Sequence, residues 1–228
     1  MARETLLLTI AVLGGTGKEG KGLAYRWAKA GYQVLIGSRY SEKAVTIASE
    51  IMELLEGESS VVGTTNLEAA QQADIVVLTV PYAGHREILE SVKGALSGKL
   101  VIDTTVPLVP PKVSKVQMPA AGSAAQEAKE LLGDSVEVVA AFQNISYEHL
   151  LRDEDVNCDV LVTGSSKKAR QEALTLVEAA GLTGWDAGPI ENSVVVEGLT
   201  SVLININKQY GSTHAGIKIT GAQKSSSD

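Results

Sequence analysis

Cysteine, histidine and aromatic residues are scarce in this 228-residue sequence: one Cys, three His, and 4% Phe, Trp and Tyr together. The lone Cys158 excludes an intrachain disulfide and, with no export signal, predicts a reducing cytoplasm. His85, His149 and His214 are scattered, and no C-x-x-C or H-x-x-E-H spacing exists, so no metal site is expected. No G-x-S-x-G nucleophile elbow is present. Net charge is −7 with no Lys/Arg run to offset it, which leaves no footprint for nucleic acid or an anionic membrane. No apolar run approaches the ~20 residues of a membrane helix. The opening "MARETLLLTIAVLGG" is interrupted by Glu4 and Thr9 and runs into glycines, so it reads as a first strand rather than a signal peptide. What remains, 44% hydrophobic and 21% charged, is an ordinary soluble globular chain large enough to bury a core.

Strand-like and helix-like segments alternate five times. "TIAVLGG", "YQVLIGSR", "VVGTT", "ADIVVLTVP" and "GKLVIDTTVP" read as strands, and helical patterns separate them, one capped by Asn66. Runs apolar on both faces mark strands buried between helix layers, so the fold class is α/β, a doubly wound, mostly parallel Rossmann sheet. A proline-rich excursion spans residues 107–119, Ser123 with Gln126 resembles a capping box, and "SVEVVAAFQN" is a sixth strand. The division predicted is a dinucleotide domain over 1–148, a small C-terminal α/β unit over 149–221, and a disordered tail over 222–228. The last helix, from about Asn192 to Tyr210, carries two apolar sets, Val195, Leu199, Val202, Ile206 and Val194, Val196, Leu203, Ile204. Two faces call for two partners, the chain's own core and a twin subunit, and predict a homodimer.

Between the first strand and first helix lies "GGTGKEGKG", matching G-x-G-x-x-G at Gly15, Gly17 and Gly20. Gly15 is expected to take the tight turn, Gly17 to admit a pyrophosphate, and Gly20 to let helix pack on strand. After the second strand an NAD enzyme typically carries an acid for the ribose 2′-hydroxyl; this chain has "GSRYSEK". Ser38, Arg39 and Lys43, with Thr16 in the loop, suit a 2′-phosphate, so NADP(H) is the expected cofactor. Tyr82 and Val106 offer apolar walls for a nicotinamide beyond the strand ends. The absence of an obvious acid, base or nucleophile suits hydride transfer between two stacked cofactors.

The blocks "AVLGGTGKEGKGLA", "IGSRYSEKA", "ADIVVLTVP", "DAGPIENSVVVEGLTSVLININKQY" and "HAGIKITG" together resemble the F420-dependent NADP oxidoreductases. That resemblance implies direct hydride transfer between NADP(H) and the deazaflavin coenzyme F420. It implies that Thr16, Gly17, Lys18 and Glu19 line the pyrophosphate, and that Ser38, Arg39 and Lys43 take the 2′-phosphate. Tyr82, Val106 and the "FQN" segment would shape the ring pocket, and "AGIKITG" would close over the deazaflavin from across a dimer cleft. Where members of the family can carry a histidine after the sixth strand, this chain has Gln143 and Asn144, amides able to bond a ring carbonyl but not to deliver a proton. Two other readings compete: an NADPH-dependent reductase of another acceptor (a flavin, ferric chelate or imine), and a non-catalytic NADP(H)-sensing module.

Overall fold

The computed structural model describes residues 8–57, 59–152 and 156–223. Met1–Leu7 lie outside the described residues, as does the expected tail from residue 224 onward. The alternation read from the sequence becomes a single eight-stranded sheet. Its strands are β1 (Thr9–Leu13), β2 (Gln33–Ser38), β3 (Val61–Thr65), β4 (Ile75–Leu78), β5 (Leu100–Asp103), β6 (Glu137–Ala140), β7 (Asp159–Gly164) and β8 (Thr183–Pro189). Their order is β3-β2-β1-β4-β5-β6-β7-β8. The first six strands, all parallel, are wound outward in both directions from β1 and β4. The crevice between the carboxyl ends of β1 and β4 is therefore the topological switch point, where open α/β sheets bind ligands.

The strands alternate between two apolar layers. Ile10 and Val12 join Leu23 and Trp27 of helix α1 (Lys18–Lys29), residues of α2 (Ser41–Leu54), and Ala173 and Leu176 further along the chain. Ala11 and Leu13 face the opposite way, towards Ala69 of α3 (Asn66–Gln72), Leu89 of α4 (Tyr82–Val92) and Ala128 of α5 (Ala124–Leu132). The expected cap of α3 is corrected: Thr65 is the N-cap, in a capping box with Glu68. Asn66 is instead the first helical residue, buried, with its Oδ1 accepting the Gly14 N–H at 3.3 Å.

Residues 149–221 add β7, α6 (Lys167–Ala179), β8 and α7 (Ser193–Tyr210) to the same sheet through the one antiparallel pair, β6 with β7. The reversal puts the start of β7 beside the chain leaving β6, so that the Cys158 thiol lies 3.6 Å from the Asn144 carbonyl. Helix α7 is fastened by a buried carboxyl group. Glu197 accepts the N–H groups of Ala124 and Ala125, at 2.7 and 3.1 Å, at the start of α5. Burial pushes the Glu197 pKa up to about 8, while those helix-start N–H groups pull it down.

Glu197→Ala would leave two buried N–H groups without acceptors at roughly 1–3 kcal/mol each. A loss of about 2–4 kcal/mol of unfolding free energy is expected, measured by urea denaturation at pH 7.

Candidate functional site

The loop from β1 to α1 is shaped by close approach. Gly14, not Gly15, takes the left-handed turn, with φ of 70°. Gly15 is required by space instead, because a Cβ there would lie 2.7 Å from the Val12 carbonyl. At Gly20 a Cβ would meet the Thr79 hydroxyl at 2.5 Å and the Gly15 Cα at 2.7 Å, so only glycine allows α1 to sit this near the sheet. Gly17 caps α1 with no side-chain hydrogen bond, and a Cβ there would meet nothing nearer than 3.7 Å. The first-turn N–H groups and the positive helix end thus face open space suited to a phosphate.

A cleft of about 670 Å³ opens there, lined by Gly14, Thr16 and Gly17, by Ser38, Arg39 and Lys43, and by the start of α4. The structure brings these predicted cofactor residues to one wall. The Ser38 hydroxyl accepts the Tyr40 N–H at 3.2 Å, which leaves its own proton free to donate. Arg39 is exposed, and the Lys43 ammonium lies 5.2 Å from the Tyr40 ring centroid. No carboxylate side chain stands at the end of β2.

Lys18 and Glu19 do not join that wall. The Lys18 ammonium turns to Tyr147, 3.3 Å from its hydroxyl and 4.8 Å from its ring centroid. The Glu19 carboxyl turns inward beside the Thr104 hydroxyl at the end of β5; burial pushes its pKa up to about 8, and Thr104 opposes the shift.

Beyond β5 and β6 the predicted ring-pocket residues are held in a buried polar network. Tyr82 is the first residue of α4, not part of a preceding loop; its hydroxyl donates to Glu127 at 2.8 Å and its ring stacks on His85. Burial and the Glu127 carboxylate push the Tyr82 pKa up to about 12. His85 and Asp103 form a buried pair at 2.6 Å, and the Thr105 N–H also reaches Asp103 at 3.0 Å. Burial disfavours the imidazolium, but Asp103 outweighs it and the His85 pKa is raised. The sequence offered no signal for this pair, which arises because β5 ends opposite the first turn of α4. Val106 lies half-buried just past that strand.

Phe142 holds a left-handed backbone, φ 74°, and packs edge-on against Trp27. Such a conformation is strained for an aromatic residue and aims the two residues that follow. Gln143 donates to the Asp103 carbonyl at 2.8 Å; Asn144 donates to the Val196 carbonyl at 3.0 Å and to Thr200 at 3.3 Å. The Asn144 NH₂ thus has two acceptors and the Gln143 NH₂ one, whereas Gln143 Oε1 and Asn144 Oδ1 are buried without a partner among the described residues. Besides the expected bond to a ring carbonyl, which the second Gln143 N–H can still make, the two bare oxygens suit an N–H donor.

The segment containing "AGIKITG" reaches the same region from its own chain. Asp159, buried at the start of β7, accepts the Ile219 N–H and the Lys218 ammonium, both at 2.8 Å, and the Trp185 indole at 2.9 Å. Gly216 lies against Cys158 so closely that a Cβ would fall 2.5 Å from the sulfur. The strap is thus anchored to its own chain, next to Asn144. Among the described residues there is no group of three potential metal ligands.

Comparison with known proteins gives consistent relatives. A family model described as NADP oxidoreductase, coenzyme F420-dependent, matches residues 9–107. The F420-dependent NADP reductase of Methanothermobacter marburgensis is 43% identical over 221 residues, 93% of this chain and 98% of the relative. That of Methanocaldococcus jannaschii is 36% identical, with 95% and 100% covered. The crystal structure of an Arthrobacter sp. FB24 protein superposes with a TM-score of 0.77 at 25% identity, covering 93% of this chain and 99% of that one.

Proposed function

The chain belongs to the family of coenzyme F420-dependent NADP oxidoreductases, and we infer from this that it transfers a hydride directly between NADP(H) and coenzyme F420. The observation that carries this reading is likeness along the whole chain to relatives named for that activity, not to the nucleotide loop alone. The nicotinamide supplies or takes the hydride at C4 and the deazaflavin does so at C5. The protein's part is to bind, align and dry the two rings.

The residues present fit such ligands. Thr16 and Gly17, with the bare N–H groups of α1, would hold the pyrophosphate. Ser38, Arg39 and Lys43 would hold the 2′-phosphate, by a hydroxyl proton, a planar guanidinium and an ammonium. Gly15 and Gly20 serve by letting α1 approach the sheet. The unpartnered oxygens of Gln143 and Asn144 would accept from a ring imide N–H or the nicotinamide carboxamide, beside the walls formed by Tyr82 and Val106. The Lys18 and Glu19 side chains lie outside that lining, while their backbone N–H groups belong to the same first turn of α1.

A twin subunit is supported by α7, which leaves Val195, Val202, Ile206 and Tyr210 exposed along one side while Val196 and Leu203 are buried. A homodimer would cover that stripe. Cytoplasmic residence is supported by the single, buried, unpaired Cys158.

Mixing the protein with NADPH and oxidised F420 is expected to bleach the deazaflavin's visible absorbance, and absence of bleaching at every pH tested overturns the function. Arg39→Asp is expected to weaken NADPH binding by about 2–4 kcal/mol, because a charge-assisted bond becomes a repulsion, and to leave NADH binding much less affected. Light scattering after size exclusion is expected to give twice the chain mass for the wild type and the single-chain mass for Val202→Asp.

A further inference from the structure

Asn66 holds the start of the glycine loop with one end of its amide and keeps the other end free. It is the first residue of α3, fixed there by the Thr65–Glu68 capping box, and the sheet pairs Thr65 with Ser38, the last residue of β2. Gly37 lies against it: a Cβ there would stand 2.8 Å from the Asn66 Oδ1 and 3.2 Å from its Cα. A glycine at this strand end lets Asn66 lie across β2 towards β1, where its Oδ1 accepts the Gly14 N–H at 3.3 Å. A backbone N–H can only donate, so the atom facing Gly14 is the oxygen and the other branch of the amide is the NH₂.

Asn66 is only 8% exposed, yet it lines the cleft together with Gly14, Thr16, Ser38 and Arg39. Among the described residues its NH₂ has no acceptor, and it is not among the side-chain atoms sealed from solvent without a partner. The unspent donor therefore opens into the cleft. On one side of it stands the glycine loop with the bare first turn of α1, and on the other stand Ser38, Arg39 and Lys43. In NADP(H) the adenosine ribose joins the groups expected at those two places, carrying the pyrophosphate on its 5′ carbon and the extra phosphate on its 2′ carbon. A donor set between the two phosphate sites meets ribose oxygens.

We propose that Asn66 is a further nucleotide-binding residue: its Oδ1 fixes the glycine loop through Gly14, and its NH₂ donates to the adenosine ribose between the pyrophosphate and the 2′-phosphate. The proposal rests on the NADP(H) reading above and extends it to the sugar. A neutral amide suits this place, because a carboxylate in the same position could accept from a ribose hydroxyl but would stand beside two phosphates of its own sign.

The test is calorimetric titration of wild type, Asn66→Asp and Asn66→Ala with NADPH and with adenosine 2′,5′-bisphosphate, which carries the ribose and both flanking phosphates but no nicotinamide. Aspartate keeps the acceptor for Gly14 and loses the donor; alanine loses both and adds no charge. The Kd of both ligands is expected to rise about three- to tenfold in Asn66→Ala and about tenfold or more in Asn66→Asp. In Asn66→Asp a rise of at least about threefold is expected to persist at about 0.5 M salt, where repulsion through space is screened. In steady state the NADPH KM is expected to follow these changes while the F420 KM moves by less than about twofold. Adenosine bisphosphate bound as tightly by either variant as by wild type overturns the ribose contact, and so does a deficit in Asn66→Asp that vanishes at high salt. A parallel rise in the F420 KM traces the loss to a distorted loop and overturns it too. Should Asn66→Ala fail to fold, Asn66→Asp decides the matter, since it retains the anchor to Gly14. A wild type that binds neither ligand at pH 7 overturns the cofactor reading, and this inference with it.

Discussion

Helix α1 lies so near the sheet that one methyl group at Gly20 would stand 2.5 Å from the Thr79 hydroxyl. That close approach puts the bare helix end over the crevice between β1 and β4. The cleft around Thr16, Ser38 and Arg39 is built outward from it. The same contact carries Glu19 towards the end of β5 and places Gly22 under Leu150, where a Cβ would approach to 2.5 Å. Arg26, farther along α1, holds that next segment by donating to the carbonyls of His149, Leu150 and Arg152. Nucleotide loop and ring-side loop are therefore registered on one helix.

The second group of constraints lies where β5 and β6 end. Asp103 is the hub, since its carboxylate takes His85 and the Thr105 N–H while its carbonyl takes Gln143. Glu197 and Asp159 do the comparable work for the C-terminal portion, one tying α7 to α5 and the other holding the final strap. Each is a buried carboxyl group that accepts from several donors, a costly arrangement to break and one that admits few alternatives. Together they fix two buried amide oxygens that no protein donor among the described residues satisfies.

Much of the fold was legible because its signals are local. Apolar runs gave the strands, glycines bounded the helices, and Ser123 caps α5 by accepting from the Gln126 N–H. The "GSRYSEK" chemistry pointed to the cleft wall at which Ser38, Arg39 and Lys43 meet. What failed was orientation over distance. Asn66 is a plausible cap by type, yet Thr65 beside it has the matching Glu68, and Asn66 reaches back to Gly14. Lys18 and Glu19 follow the phosphate loop in sequence but diverge in space, because successive helical residues point about 100° apart. No local pattern reveals that Gln143 and Asn144 would donate to a strand carbonyl and to α7, nor that Asp159 would anchor the strap.

The antiparallel pairing of β6 with β7 has a consequence for how such a protein can diversify. It brings a contiguous terminal stretch, roughly residues 158–219, beside the loop that leaves β6, while the residues lining the cleft at the glycine loop all come from the first 91. The glycine-loop cleft and the terminal strap are thus written in separate portions of the sequence. Substitutions in the terminal portion can therefore reshape the surroundings of Asn144 without touching the wall formed by Ser38, Arg39 and Lys43.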